Sequence, residues 1–194
     1  MEFVFVTRNA GKMWEIREIL KGSGISALSM DEAGINADIV EDGVTFEDNA
    51  VKKAMQITGL CKNPVIADDS GLEIDFLDKG PGVYSARFLG EQTPYEEKIR
   101  HILDVMKAVP AAKRGARFVC VIAAAFPDGR IITKRGAVSG IIAQKPAGRN
   151  GFGYDPIFFV PEYGMTTAEM DPGLKNSISH RGIALRGLIP FLKG

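Results

Sequence analysis

The sequence predicts an α/β protein, on three observations. Short apolar runs of strand length recur, at residues 3–6, 65–67 and 157–160. Between them lie longer stretches whose apolar residues return at helical spacing, as in Met13, Ile16, Ile19 and Leu20. Gly and Pro punctuate the changes, with Asn63-Pro64 breaking one helix directly before Val65.

A chain of 194 residues suits one domain, residues 1–194, or one domain with two lobes, and it can bury a sizeable core. Lys plus Arg number 24 and Asp plus Glu 24, so net charge gives no case for a general nucleic-acid or membrane binder. Any basic function is therefore local. Cys61 and Cys120 make neither a metal spacing nor a disulfide framework, which fits a reducing, cytosolic setting. No basic-then-apolar leader opens the chain, which argues against export. No apolar run approaches the roughly 18 residues of a membrane span.

In chain order, residues 3–6 predict a buried first strand. The polar loop Thr7-Arg8-Asn9-Ala10-Gly11-Lys12 follows, then a helix that stops near Gly22 and Gly24. Such a loop gathers a hydroxyl, an amide, a Lys and free helix N–H groups, a ready anion site. It is equally a capped helix start, with Thr7 or Asn9 as cap. A short strand is expected at 25–28 and a loop at 30–38. Thr45 is a good N-cap, with Phe46, Ala50, Ala54 and Ile57 on one face and Asn49 and Lys53 together on another. Glu41 precedes this cap in a loop, where it is either solvated or within reach of a metal.

Residues 65–67 predict a central strand that ends in Asp68-Asp69-Ser70-Gly71. Carboxylates at a strand end suit a hard cation such as Mg²⁺, although Asp, Ser and Gly are also turn formers. Thr93-Pro94-Tyr95-Glu96 predicts a helix start with Thr93 as cap, and Ile99, Ile102, Leu103 and Met106 its buried stripe. A β-hairpin follows, residues 117–126 turning at Pro127-Asp128-Gly129 into residues 130–138, with its apolar first strand central in a sheet.

Gly151-Phe152-Gly153-Tyr154-Asp155-Pro156 sets aromatic rings on a Gly-rich loop. Rings held this way stack on a flat base, or simply pin the loop to the core. Near the end, Lys175, His180 and Arg181 crowd the expected start of a terminal helix capped by Ser177 or Ser179. Cations there oppose the helix dipole unless an anion or a ring face meets them.

Acidic residues Glu41, Asp68 and Asp69, basic residues Lys12, Lys53, Lys175 and Arg181, and an aromatic loop together match a nucleoside triphosphate with Mg²⁺. At this point the sequence resembles the inosine triphosphate pyrophosphatase family. Five blocks match in order: residues 7–12; Glu41 with residues 45–50; residues 67–72 with 81–87; residues 151–156; and Lys175 with residues 178–181. The resemblance implies a two-lobed fold around a long mixed β-sheet with flanking helices, an active-site cleft between the lobes, and a homodimer. It implies Mg²⁺-dependent hydrolysis of dITP, ITP and XTP to the monophosphate and pyrophosphate. It makes Asp69 the general base and a metal-site carboxylate, with Glu41 and Asp68 beside the metal. Thr7, Asn9 and Lys12 hold phosphates within the loop that includes Arg8, Ala10 and Gly11, and Lys53 is a further candidate. Arg8 itself varies in the family pattern. Ser70 contacts the nucleotide, Phe152 stacks on the base, and Gly153, Tyr154 and Asp155 complete that wall. Lys175, His180 and Arg181 read the purine edge. The rivals are a pyrophosphatase for other triphosphates, such as modified pyrimidine nucleotides, and a nucleotide sensor without turnover. The block at His180-Arg181 argues against the first and the three carboxylates against the second.

Overall fold

The structure, a computed structural model, describes residues 1–192. Its elements in chain order are β1 (Glu2–Phe5), α1 (Ala10–Leu20), β2 (Ser26–Ser29), α2 (Phe46–Thr58), β3 (Val65–Ile74), α3 (Tyr95–Val105), β4 (Gly115–Ala125), β5 (Ile131–Ile142), β6 (Phe158–Val160), β7 (Met165–Thr166), α4 (Pro172–Ile178) and α5 (His180–Leu192). Seven strands form one mixed sheet in the order β2-β1-β3-β4-β5-β6-β7. β1 is parallel to β2 and β3, and β6 is antiparallel to β5 and β7. The α/β class expected from the sequence is the one observed. Among the described residues no helix is long and apolar enough to cross a membrane.

The chain forms two compact units. One comprises Met1–Asp69, Cys120–Gly136 and the segment from Ser179 on; the other comprises Ser70–Val119 and Ala137–Ile178. In the first unit, Asn9 caps α1 by accepting from the Lys12 N–H (2.9 Å), and Met13, Ile16 and Leu20 turn into the core. Thr45 caps α2 by accepting from the Asp48 N–H (3.0 Å). Phe46, Ala50, Ala54 and Ile57 form its buried face, as their spacing predicts. Ser179 rather than Ser177 caps α5, accepting from the Gly182 N–H (3.0 Å). Ala184, Leu185, Leu188 and Leu192 of α5 pack into one cluster with Phe3, Phe5 and the α1 residues. Burial of such side chains contributes about 1.5–3 kcal/mol each. At Gly136 a Cβ would stand 2.1 Å from the His180 carbonyl oxygen and 2.6 Å from the Ala184 nitrogen, so only glycine lets β5 approach the first turn of α5 this closely.

In the second unit, Leu72, Ile74, Ile99, Ile102, Met106, Phe118, Ile142 and Phe158 build the core. Arg114 is buried there because its guanidinium donates to the carbonyls of Met106, Ile142 and Ala143 (2.6, 2.7 and 2.8 Å). Thr93 does not cap α3. The residue before the helix is Pro94, without a side-chain bond to it, and the Thr93 hydroxyl donates instead to Leu89 O (2.7 Å). α4 is an additional short helix that the periodicity did not reveal.

The largest departure lies in β3. The expected strand end after Ala67 does not occur: β3 continues through Asp68, Asp69, Ser70 and Gly71. Pairing with β1 ends at Ile66, so β4, the neighbour on the other edge, is the sheet partner left to these residues, and a place in the sheet overrides their turn preference. The two carboxylates are therefore delivered from mid-strand.

Candidate active site

Successive residues of a strand face opposite sides, and Asp68 and Asp69 do so in the first unit. Asp68 is fully enclosed. It accepts from Lys12 Nζ (3.2 Å), Arg181 Nη2 (3.0 Å) and Arg181 Nε (3.3 Å). The guanidinium is 2% exposed, and its Nη1 donates to Glu15 (2.5 Å). Burial alone would raise the Asp68 pKa, but Lys12 and Arg181, with Lys53 behind them, hold it far below the usual carboxylate range. Arg181 is shifted upward for the reciprocal reason: burial opposes its charge, and Asp68 and Glu15 outweigh burial.

Asp69 faces α2. It accepts from Lys53 Nζ (2.9 Å) and Asn49 Nδ2 (3.3 Å). Asn49 Oδ1 in turn accepts from the Gly43 N–H (2.8 Å), which fixes which end of the carboxamide meets Asp69. Glu41 approaches the same ammonium, 3.4 Å from Lys53 Nζ. Burial pushes the Asp69 carboxyl upward and the Glu41 charge adds to this, while Lys53 and Asn49 pull the other way; the net shift is up. Burial weakens the charge on Lys53, but Asp69, Asp68 and Glu41 more than offset it, so its pKa is raised and it stays protonated. Asn49 and Lys53 are both buried, at 0% and 4% exposure, because their polar groups are spent on this site.

Thr7 and Asn9 stand beside Lys12 in sequence, and the Asn9 N–H donates to Thr7 Oγ1 (3.1 Å). Ala10 and Gly11 open α1. Arg8 is turned to the neighbouring loop, donating to Asn36 Oδ1 (3.1 Å) and Ala37 O (3.2 Å).

The second unit holds the aromatic loop. Asp155 is its brace: it accepts from Lys175 Nζ (2.6 Å), the Phe152 N–H (2.8 Å) and the Thr167 hydroxyl (2.8 Å). Gly151 is required beneath it, with φ +75° and a would-be Cβ 2.1 Å from Asp155 Oδ2. Lys175 Nζ lies 5.0 Å from the centroid of the half-buried Phe152 ring. Tyr154 belongs to the core. It is 3% exposed, its hydroxyl donates to Ser85 O (2.9 Å), and its ring meets Tyr95 edge-on at 5.2 Å. Gly153 takes φ +65° between the two aromatics. Ser70 follows Asp69 on β3 and is half-buried.

The model of the Ham1 family matches residues 3–191. The chain belongs to the Ham1 family. It is 47% identical over 192 residues to a dITP/XTP pyrophosphatase of Desulforamulus reducens, covering 99% of this chain and 96% of that one. A Bacillus subtilis relative of the same name is 44% identical, covering 99% and 97%. Among solved structures, a HAM1 protein from Coxiella burnetii superposes with a TM-score of 0.89 at 40% identity, covering 100% of this chain and 98% of that one. The Staphylococcus aureus Ham1 protein gives 0.87 at 39%, covering 100% and 99%. The resemblance carried by the five blocks is thereby borne out.

Within this Ham1 chain two sequence expectations change. Glu41, Asp68 and Asp69 do not form one acidic cluster: among the described residues no group of three or more His, Cys, Asp or Glu is placed to hold a metal. Asp68 is committed to Lys12 and Arg181, which leaves Glu41 and Asp69 as the converging pair. Nor do Lys175, His180 and Arg181 crowd one helix start. Lys175 lies on α4 and pairs with Asp155; His180 and Arg181 open α5, and the anions that Arg181 meets are the chain's own Asp68 and Glu15. Sequence reading missed Glu15 and Thr167 as partners. It placed Asn49 and Lys53 on one helix face without seeing that the face is buried against Asp69.

Proposed function

We propose that this chain hydrolyses non-standard purine nucleoside triphosphates (dITP, ITP and XTP) to the monophosphate and pyrophosphate. The observation that carries the chemistry is Asp69: a carboxylate whose pKa burial raises, oriented by Lys53 and Asn49. A raised pKa makes a better base near neutral pH, and two fixed donors aim the carboxylate. Asp69 takes a proton from water as the water oxygen attacks the α-phosphorus. The bond to the bridging oxygen of the β-phosphate breaks, and pyrophosphate leaves. Thr7, Asn9 and Lys12, with the first N–H groups of α1, are the proposed phosphate holders. Lys53 keeps its charge and neutralises phosphate oxygens.

Glu41 and Asp69 fit Mg²⁺, since they already converge on one cation, the Lys53 ammonium. Mg²⁺ is commonly held by only one or two carboxylates beside phosphates and waters, so a site completed by the triphosphate suits this pair. When bound, the ion neutralises phosphate charge and acidifies water. Phe152 offers its ring to the base, held in place by the Asp155 brace. Ser70, Lys175, His180 and Arg181 are the proposed nucleotide contacts, the last three for the purine edge. A homodimer, to be measured by sedimentation, completes the proposal.

The test is pyrophosphate release from ITP, XTP, ATP and GTP with and without Mg²⁺. Rapid Mg²⁺-dependent release from ITP and XTP alone is expected. Equal release from all four would keep the chemistry and remove the base reading. ITP binding without release from any would make the chain a sensor.

A further inference from the structure

The loop that carries Glu41 has no regular structure, and Val40, Glu41 and Asp42 are exposed. Nothing in its own composition would fix where the Glu41 carboxylate points. α2 supplies what the loop lacks. One carboxamide, Gln56, takes both backbone groups of Val40: the Val40 N–H donates to Gln56 Oε1 (2.9 Å), and Gln56 Nε2 donates to Val40 O (3.0 Å). Nε2 also donates to Lys52 O (3.1 Å), which ties the side chain to its own helix. On the far side of Glu41, Lys52 Nζ donates to Asp42 Oδ1 (2.7 Å), and Asn49 Oδ1 accepts from the Gly43 N–H (2.8 Å).

Asn49, Lys53 and Gln56 are spaced four and three apart and so share one helical face. Gln56 holds the loop before Glu41 and Asn49 after it, and Lys53 between them meets its carboxylate at 3.4 Å. Gly43 is part of the fit, because a Cβ there would stand 2.6 Å from Asn49 Oδ1 and 2.8 Å from Asp48 Cβ. A half-buried glutamine such as Gln56 can still turn its carboxamide to water. This one makes three backbone bonds in one geometry, and only a carboxamide both donates and accepts in that way.

We propose that Gln56 is a positioning residue for the proposed pyrophosphatase reaction. It clamps the Val40 backbone so that Glu41 is held toward Lys53 and Asp69. The proposal rests on the catalytic reading above and extends it to a residue without contact to substrate.

Gln56→Met keeps the length and helix preference of the side chain while removing donor and acceptor. Two readouts on the full chain test it. Without ligand, amide exchange at Val40 should accelerate at least tenfold while the thermal midpoint stays close to wild type. With ITP and Mg²⁺, kcat should fall on the order of tenfold, as a misplaced catalytic group implies, with KM unchanged. Gln56→Glu keeps the acceptor for the Val40 N–H but, when ionised, cannot donate to Val40 O, so kcat should fall in the same direction with a smaller change in Val40 exchange. Unchanged Val40 exchange would overturn the clamp. Faster exchange with unchanged kcat would overturn the positioning role. A wild-type chain that releases no pyrophosphate would instead overturn the catalytic reading, and with it the role given to Glu41, while Val40 exchange would still judge the clamp.

Discussion

Asp68 and Asp69 are consecutive on β3, yet their carboxylates answer to different partners: Lys12 and Arg181 for Asp68, Lys53 and Asn49 for Asp69. The first is held far down in pKa and the second is pushed up. One strand thus places a permanently ionised anchor next to a basic carboxylate. The two substitutions to Asn should separate the roles. Asp69→Asn removes the base, and pyrophosphate release should fall about 10²–10⁴-fold, with ITP still bound in a calorimetric titration. Asp68→Asn breaks a buried ion pair, which costs about 3–5 kcal/mol, so its chief effect should appear in urea unfolding. Comparable activity in Asp69→Asn and wild type would remove Asp69 as base.

Arg181 bears two duties in this reading, and its geometry orders them. Its guanidinium lies between Asp68 and Glu15. Arg181→Ala would leave both carboxylates buried without it, and should destabilise by about 3–5 kcal/mol before selectivity can be read. Arg181→Lys keeps the charge and loses the planar fork. In that variant the preference for ITP over ATP should drop about tenfold, because a keto oxygen at position 6 accepts from a donor and an amino group does not. If the kcat/KM ratio for the two nucleotides survives in folded Arg181→Lys, the purine edge is read by other residues.

The two thiols should differ sharply. Cys120 is fully buried on β4, and burial pushes its thiol up to about 12 from 9.0. Cys61 is half-buried and shifted up more weakly, again by burial. A thiol-specific reagent on the native chain should label Cys61 slowly and Cys120 only after unfolding. For Cys120 the folded pKa is the higher one, so the native state holds the proton that the unfolded state releases. Its contribution to stability is complete below about pH 9 and declines as pH rises toward 12. Cys120→Ala should lessen that alkaline loss in denaturant titrations. Labelling of both thiols at one rate would contradict this burial.

How far the sequence speaks depends on how local the cause is. α2 was legible down to its cap, Thr45, and α1 down to a choice of Thr7 or Asn9 that the structure settles as Asn9, because such caps act on N–H groups three residues away. The hairpin of β4 and β5 was legible from Pro127-Asp128-Gly129 and two flanking runs. β3 was not, since Asp68-Asp69-Ser70-Gly71 has turn composition and extends the strand past the end of its pairing with β1, which no local signal foretells. The candidate residues were named from their blocks, but their partners were not. Glu15 reaches Arg181 across 166 positions, and Asp68 reaches it across 113. Nothing in a helical period marks Glu15 as an inward carboxylate rather than a solvated one. Thr93 failed for a local reason, its hydroxyl finding Leu89 O rather than the helix.

Phe152 and Gly151 test the loop in the second unit. The ring is held by a backbone N–H bond to Asp155, which is itself braced by Lys175 and Thr167. Stacking of a base on an aromatic ring is worth about 1–3 kcal/mol. Phe152→Ala should therefore raise KM for ITP by about 5–150-fold and leave kcat nearly unchanged, because the ring lies on no bond that reacts. Gly151→Ala acts through the scaffold. A methyl at φ +75° would meet Asp155 Oδ2 at 2.1 Å and Lys175 Nζ at 2.8 Å, so the brace must open. It should raise KM as Phe152→Ala does, and the double variant should add little to either alone, since both remove the same ring from the same place. Additive losses in the steady-state cycle would show that Gly151 serves something other than the position of Phe152.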